Sequence, residues 1–411
     1  MSLDRRLYAS PHQAEPWLPG EGRADGVLAQ AHALQMRAAR VQGKADASVM
    51  QALAPLLRAM NSYYTNKIEG QHTLPSDIAS ALAQQFSPDL EVQRRQRLAV
   101  AHMRTEQWAE QTYGQHDWQS LLAPDVIRAL HRHLFAQLPD EDRRLSDGSV
   151  MQPGAWRTGE VRVGQHEAPM AASVPIFLAH FESTYRRVRP GEMALVVAAT
   201  AHHRLAWIHP FADGNGRVVR LHSHVLLHAM GLTNGVWSPL RGLARSQPRY
   251  DEMLALADMP RHGDLDGRGN LSEKQLLAFI DYFLTTCADQ ASFMSSLLDF
   301  PTLRERIRAC LAFESSLPGS PDLLRAELPL YQLFLTGATS RGEFKQLTAL
   351  APRSADKLVR RLLERELLHS DSPKGKLQFG LPLHALRFYF PALWPEAEAQ
   401  ASTDRIDTMT P

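Results

Sequence analysis

"AWIHPFADGNGRVVR", residues 206–220, places a histidine, an acid, two glycines flanking an asparagine and two arginines three positions apart in one short segment. The glycine-rich centre closes one helical run, "EMALVVAATAHHRLAWI", and opens another, "RVVRLHSHVLLHAMG". A turn that starts a helix exposes N–H groups with no intrahelical acceptor. Without side chains at Gly214 and Gly216, an anion can approach that backbone closely. The helix dipole and the converging N–H groups both favour negative charge there. Asn215 contributes an amide that can donate to a phosphate oxygen. Arg217 and Arg220 both reach the N-terminal side of the new helix. Two guanidiniums with aligned, charge-assisted bonds suit a polyphosphate.

The flanking residues supply the chemistry. Asp213 stands at the lip of this cradle, where a single carboxylate beside phosphates holds Mg²⁺ that shares its ligands with a nucleotide. His209 lies just upstream, its backbone limited by Pro210. With an ordinary pKa of about 6.5, it is partly neutral at physiological pH and can take a proton from an attacking hydroxyl. Phe211 reads as an apolar anchor for the loop.

Outward from this segment, apolar residues recur at three and four spacings over "VLAQAHALQMRAARVQG", "ASVMQALAPLLRAMNSYYTNKIEG", "PSDIASALAQQF", "EVQRRQRLAVAHMRTEQWAEQTY", "PDVIRALHRHLFAQL", "VPIFLAHFESTYRRV", "PRYDEMLALADM" and "SEKQLLAFIDYFLTTCADQASFMSSLL". The fold class is therefore mainly α. "WRTGEVRVG" alternates between glycine boundaries and predicts a strand. "SSLPGSPD", residues 315–322, has linker composition. Beyond it, Ser340 and Glu343 stand in capping-box spacing. "APRSADKLVRRLLERELL" predicts a proline-started helix with Ala355, Leu358, Val359, Leu362, Leu363 and Leu367 on its buried face. "HSDSPKGKLQFGLP" predicts a hairpin with a Lys-Gly turn. Two short helices, the second basic, followed by a hairpin predict a winged helix-turn-helix.

The chain has 411 residues, 44% hydrophobic and 22% charged, with 45 Lys+Arg against 44 Asp+Glu and a formal net charge of +1. This is the composition of a globular protein, and any affinity for nucleic acid must come from a local patch. Cys287 and Cys310, the two cysteines, sit in apolar helical patterns, which fits a reducing compartment and excludes a disulfide framework. The first twenty residues lack the apolar stretch and cleavage site of a signal peptide, and no apolar run is long enough to span a bilayer. A cytoplasmic location is expected.

"HPFADGNGRVVR" resembles the H-x-F-x-(D/E)-G-N-G-R-x-x-R signature of Fic-domain proteins and matches every fixed position, with similarity running over about residues 50 to 300. Fic members typically transfer AMP from ATP to a hydroxyl side chain of a target protein and release pyrophosphate. The resemblance implies His209 as general base, Asp213 as Mg²⁺ ligand and Gly214, Asn215 and Gly216 as the anion hole. It further implies Arg217 as a phosphate ligand and Arg220 as the contact to the γ-phosphate. Gly216 stands where kinase-like Doc relatives usually carry Lys, and Ala206 stands where many relatives carry an acid. "TNKIEG", Thr65–Gly70, resembles the (S/T)-x-x-x-E-(G/N) inhibitory motif of many Fic proteins, which implies that Glu69 pairs with Arg220 and misorients ATP. "WRTGEVRVGQHEAP" is positioned like the family's flap, whose edge could add a target segment as a strand.

The expected organisation is an N-terminal helical region with the inhibitory motif (1–118), a Fic core (119–314), a winged helix-turn-helix (323–395) and a flexible tail (396–411). The expected activity is auto-inhibited protein adenylylation with ATP and Mg²⁺, on a Ser, Thr or Tyr hydroxyl of another protein or of the chain itself. Two readings compete with it: a DNA-binding regulator whose core senses nucleotide, and a Fic enzyme that removes AMP or transfers another nucleotidyl or phosphoryl group. If the C-terminal module reads double-stranded DNA, Ser354, Lys357 and Arg361 face the groove, with Lys374 and Lys376 on the wing; otherwise that face is solvated or binds protein. His224 and His228 have zinc-protease spacing, but Val225 replaces the required Glu, so they read as ordinary helix histidines. His202 and His203 read as packing residues. "DLDGRGNLSEKQ" lacks a calcium loop's ligands at Arg268 and Gln275.

Overall fold

Helices carry nearly all of the architecture in the computed structural model, which describes residues 8–44, 47–71, 73–298, 300–317, 322–390 and 393. Helix α1 (Asp25–Gln42) buries Val27, Ala31, Leu34, Ala38 and Val41, alternating four- and three-residue steps that make one apolar stripe. Helix α2 (Ala47–Ile68) closes at Gly70, which adopts φ +70°. There Gly70 N–H bonds the Lys67 carbonyl at 3.0 Å and Gln71 N–H bonds that of Asn66 at 2.8 Å, a Schellman ending that needs a left-handed residue. Helix α3 (Pro75–Leu82) is followed by α4 (Leu90–Tyr113), whose first N–H groups bond the Asp89 carboxylate. After α5 (Pro124–Phe135) comes a small hairpin of β1 (Arg162–Val163) and β2 (His166–Glu167), and then α6 (Val174–Tyr185).

Helices α7 (Glu192–Ile208) and α8 (Asn215–Ala229) form the centre, each buried on almost every side. Around them pack α1, α4, α5, α6, α9 (Leu240–Arg245), α10 (Gln247–Ala257) and α11 (Glu273–Leu297), while α2 lies across α4, α8 and α9. The "HPFADGNG" loop is thus the corner of a central helical hairpin, fixed by packing on both arms.

The C-terminal region begins with α12 (Phe300–Ser316) and α13 (Glu327–Thr336). It continues through β3 (Ala338–Thr339), α14 (Arg341–Leu347), α15 (Pro352–Glu364), β4 (Leu368–His369), β5 (Leu377–Phe379) and α16 (Leu383–Tyr389). The three strands form an antiparallel sheet in the order β3-β5-β4. Ser340 and Glu343 make the reciprocal capping bonds that start α14. Helix α15 buries Ala355, Leu358, Val359 and Leu362, with Leu367 buried just beyond it, while Leu363 is half-buried. This region rests on α2 through α13, and Tyr64 Oη bonds the Leu393 carbonyl at 3.5 Å.

The "WRTGEVRVG" strand shrinks to Arg162–Val163. The physical reason is Arg157, whose N–H and guanidinium bond carbonyls of neighbouring loops rather than a ladder. Of the 315–322 break, residues 318–321 lie outside the described residues, as does the whole of the 396–411 tail. Cys287 and Cys310 are buried thiols. Among the described residues, no helix is long and apolar enough to cross a membrane.

Candidate active site

The corner begins where α7 ends, at His209 in the left-handed conformation (φ 50°, ψ 61°). A residue with a side chain adopts this conformation when its surroundings hold it there. Arg157 does the holding: its Nε donates to the His209 carbonyl at 2.8 Å and its backbone N–H to that of Pro210 at 2.9 Å. Its remaining guanidinium nitrogens donate to the Gly159 and Pro169 carbonyls. Phe211 is fully buried, stacked on His131 at 3.9 Å between ring centroids and against Trp156 at 5.0 Å. Because His131 Nδ1 accepts from Gly154 N–H at 2.8 Å, its Nε2 carries the proton and donates to the Asp213 carbonyl at 3.2 Å. Arg157 and His131 escape a reading of the motif because both lie far upstream of it and act on its backbone.

Asn215 Oδ1 accepts from Phe211 N–H at 2.9 Å and its Nδ2 donates one N–H to the Phe211 carbonyl at 2.8 Å, so the amide ties the loop shut. What the loop offers an anion is backbone. Val218 N–H makes the first helical bond, to the Gly214 carbonyl, and leaves the N–H groups of Asn215, Gly216 and Arg217 at the open end of α8. Gly214 sits at φ +78°, and a Cβ there would collide with the Phe135 ring. A Cβ on Gly216 would collide with the carboxylate of Glu69. Glu69 is therefore the anion over this helix end.

Both arginines of the motif are engaged by the end of α2. Arg220, 2% exposed, donates through Nε to Thr65 Oγ1 at 2.8 Å and through Nη2 to Glu69 Oε1 at 2.5 Å. Arg217 donates through Nε to Asn66 Oδ1 at 3.1 Å and through Nη2 to Gln71 Oε1 at 2.9 Å. Burial alone would raise the pKa of Glu69, but Arg220 and Arg217 more than offset it and hold the carboxyl below its ordinary value. Its side chain keeps 31% of its surface exposed, so it closes the mouth of the cradle rather than its floor.

Burial pushes the pKa of His209 down to about 4, helped by His166 and Arg157, so the imidazole is neutral at physiological pH. Asp213 is exposed, with Oδ1 accepting from Gly214 N–H at 2.6 Å. The β1–β2 hairpin stands beside His209, with His166 Nε2 bonded to the Trp207 carbonyl at 2.7 Å and Val163 46% exposed on its edge.

The remaining histidines divide. His202 bridges Ser223 Oγ at 2.8 Å and Tyr250 Oη at 2.7 Å, and His203 pairs with Asp258 at 3.1 Å; both hold helices together. His224 is not an ordinary helix histidine, because it faces two carboxylates of α4. The signal was the His102, Glu106, Glu110 stripe at four-residue spacing. In the glycine- and aspartate-rich loop, Asp266 spends its oxygens on His262 N–H, Ser272 Oγ and Lys274 N–H. Ser354 and Lys357 are exposed on α15, Arg361 is half-buried, and Lys374 and Lys376 are exposed on the β4–β5 turn.

Residues 121–227, from the turn before α5 to α8, match the family model described as Fic/DOC family. The chain is similar to "Protein adenylyltransferase Fic" of Aedes aegypti, 39% identical over 90 residues, which are 22% of this chain and 18% of that protein. It is also similar to the protein of the same name from Drosophila mojavensis, 37% identical over 143 residues, 33% of this chain and 28% of that protein. The chain thus spans less than a third of the length of these curated relatives. Among solved structures, a Fic family protein of Desulfovibrio desulfuricans superposes with a TM-score of 0.48 at 18% identity, covering 86% of this chain and 96% of that one. Fic-1 of C. elegans superposes with a TM-score of 0.44 at 14% identity, covering 66% of this chain and 70% of that one.

Proposed function

We propose, on the premise that residues 121–227 form a Fic domain, that the protein is an adenylyltransferase that modifies a hydroxyl side chain of a protein and is held inactive by Glu69. One observation carries this reading: the carboxylate of Glu69 occupies the anion position at the start of α8 while bonded to Arg220. A site shaped for anions, already filled by one from its own chain, is a phosphate site under control.

When the end of α2 moves aside, the N–H groups of Asn215, Gly216 and Arg217 and the two guanidiniums become available to a triphosphate. The neutral imidazole of His209 accepts the proton of the target hydroxyl as its oxygen bonds the α-phosphorus of ATP. The bond from that phosphorus to the β-bridging oxygen breaks, and pyrophosphate leaves. Arg220 orients the nucleotide through the γ-phosphate, and positioning of this kind provides much of the acceleration in phosphoryl transfer. Asp213, a single exposed carboxylate at the mouth of a phosphate cradle, has the donor character that Mg²⁺ takes when it shares its shell with a nucleotide. That ion, when bound, supplies neutralisation of phosphate charge. The exposed edge at Val163 offers a target segment a strand to pair with, independent of its sequence.

The test is incubation with α-labelled ATP, Mg²⁺ and a cell lysate, comparing wild type, Glu69→Gly and Glu69→Gly/His209→Ala. Label moves to protein in the Glu69→Gly reaction and is absent with the double variant. Label that persists without His209, or a modification mass other than AMP, refutes the assignment and points to another transfer or to AMP removal.

A second reading concerns the C-terminal region. Its helix, strand, two helices and hairpin fit a winged helix-turn-helix, and Arg353, Ser354, Lys357 and Arg360 stand exposed on one side of α15. We propose that this face, with Arg361 at its margin and Lys374 and Lys376 on the wing, contacts double-stranded DNA. Retention of the full chain on DNA should weaken with salt, and Lys357→Ala should reduce the salt slope by about 1. Retention that ignores both salt and Lys357 contradicts this reading.

A further inference from the structure

One helical turn past Arg220, the same three helices enclose a second set of charged groups that phosphate binding does not use. His102, Glu106 and Glu110 follow one another at four-residue spacing on α4 and share a face. From α8, His224 Nε2 approaches Glu110 Oε1 at 2.9 Å and Glu106 Oε1 at 3.6 Å. His102 Nδ1 lies 3.8 Å from Glu106 Oε2. All four side chains are buried, with His102 at 0% and Glu106 at 1% exposed. Among the described residues, neither ring nitrogen of His102, nor Glu106 Oε2, nor His224 Nδ1 has a hydrogen-bond partner. Buried polar atoms are nearly always satisfied, so this many orphans in one place call for a missing partner.

We infer that Glu106, Glu110 and His224, with His102 packed beside them, form a binding site for a divalent transition-metal ion of the zinc class, separate from the phosphate cradle. Metal bonds of about 2.0–2.1 Å in a tetrahedron put neighbouring ligand atoms about 3.3 Å apart. The 2.9 Å between His224 Nε2 and Glu110 Oε1 is close to that edge, and a carboxylate oxygen of Glu106 lies within 4.8 Å of both ligand residues. One imidazole with two carboxylates favours zinc or cobalt over magnesium, which prefers oxygen and water. The outer contacts suit ligands as well. Asn61 Nδ2 donates to Glu106 Oε1 at 2.7 Å, and Arg58 Nη2 donates to Glu110 Oε2 at 2.6 Å, which leaves Glu106 Oε2 and Glu110 Oε1 for the ion.

The bound ion ties α4 to α8 and, through Asn61 and Arg58, fastens the middle of α2 while leaving its Glu69 end free to move.

The test needs no nucleotide. Full-length protein is stripped with chelator and titrated with Co²⁺ and with Zn²⁺ in excess Mg²⁺. The expected results are the visible ligand-field absorption of low-coordinate Co²⁺, one equivalent of zinc retained through gel filtration, and a higher melting temperature with Zn²⁺ than with Mg²⁺ alone. His224→Ala and Glu106→Gln lose the retained metal, and Asn61→Ala weakens it roughly 10- to 100-fold. Wild-type protein that shows no ligand-field absorption and no retained zinc overturns the site. So does equal retention by folded His224→Ala. If His224→Ala fails to fold, the cobalt spectrum of wild type decides, since carboxylates and water alone give the weak bands of a six-coordinate ion.

Discussion

Two ionic clusters lie one helical turn apart along α8, and they solve the burial of charge in opposite ways. At Arg220 the partner is Glu69, which comes from the last turn of α2, keeps 31% of its side-chain surface exposed and sits over an open helix end. At His224 the partners are Glu106 and Glu110, held inside a helix by neighbours on both sides, Glu106 buried and Glu110 nearly so. On the proposed reading the upper pair is exchangeable: an incoming phosphate would replace the carboxylate like for like, with only the end of α2 displaced. The lower set cannot be exchanged without opening the α2–α4–α8 interface. On that reading the same packing would make one cluster a switch and the other a fastener. The Schellman ending at Gly70 marks the boundary, because there the helix stops and its last carbonyls are closed by local bonds.

The contrast is tested most severely at His209. If the upper cluster guards a reacting site, His209→Ala in a Glu69→Gly background should cut label transfer about 10²- to 10⁴-fold, the usual contribution of a positioned base. Nucleotide binding, followed by equilibrium dialysis, should be nearly unchanged. Comparable loss of both would move His209 from chemistry to binding. The second test falls on the lower cluster. Arg58→Met leaves Glu110 with one cation fewer in a buried place and should cost about 3 kcal/mol of stability, measured by urea unfolding. A loss below about 1 kcal/mol would put this ion pair in the class of exposed ones and erase the contrast.

Much of the upper cluster was legible in the sequence because its parts are local. His209, Phe211, Asp213 and Gly214–Arg217 are neighbours in the chain, and the turn they make follows from glycine conformation and helix ends. The Glu69 contact was legible only through family resemblance, since nothing in residues 65–70 alone selects a partner more than a hundred positions away. Asn215 shows the limit of reading by residue type, since nothing in the motif marks that its amide also closes the loop onto both backbone groups of Phe211. Arg157 and His131 were missed for a related reason. An arginine in a loop and a histidine on an amphipathic helix carry no local mark of the carbonyls that they will hold. Helices α13 and α16 went unnamed, and α12 was read only as the apolar helical pattern around Cys310.

The third test returns to the switch. Glu69→Gly should raise transfer on the order of 10- to 100-fold, within the range typical of coupling between sites. Its pH profile adds a sign. Because the Glu69 carboxyl is held below its ordinary pKa, its pairing with Arg220 is complete above that ordinary value and is lost as pH falls through the lowered one. Wild type should thus stay inhibited across the whole neutral range. The Glu69→Gly variant should keep a flat rate there and decline only in acid, because burial holds the His209 pKa low and loss of the Glu69 charge lowers it further. A wild-type rate that climbs between mildly acidic and neutral pH would mean that some other group controls release.

The smallest effect distinguishes the carboxylate from the rest of its helix turn. Thr65 is fully buried, and its hydroxyl accepts from Arg220 Nε only while α2 is docked. Thr65→Val keeps the shape and removes this bond, so it penalises the docked state by about 1 kcal/mol, the net value of one hydrogen bond. That corresponds to a basal rate raised roughly fivefold, well short of Glu69→Gly. In the Glu69→Gly background the same substitution should add little, because the docked state it weakens no longer blocks the helix end. Equal gains in both backgrounds would show that Thr65 acts on α2 as a whole. The switch would then be the docking of the helix rather than the anion at its tip.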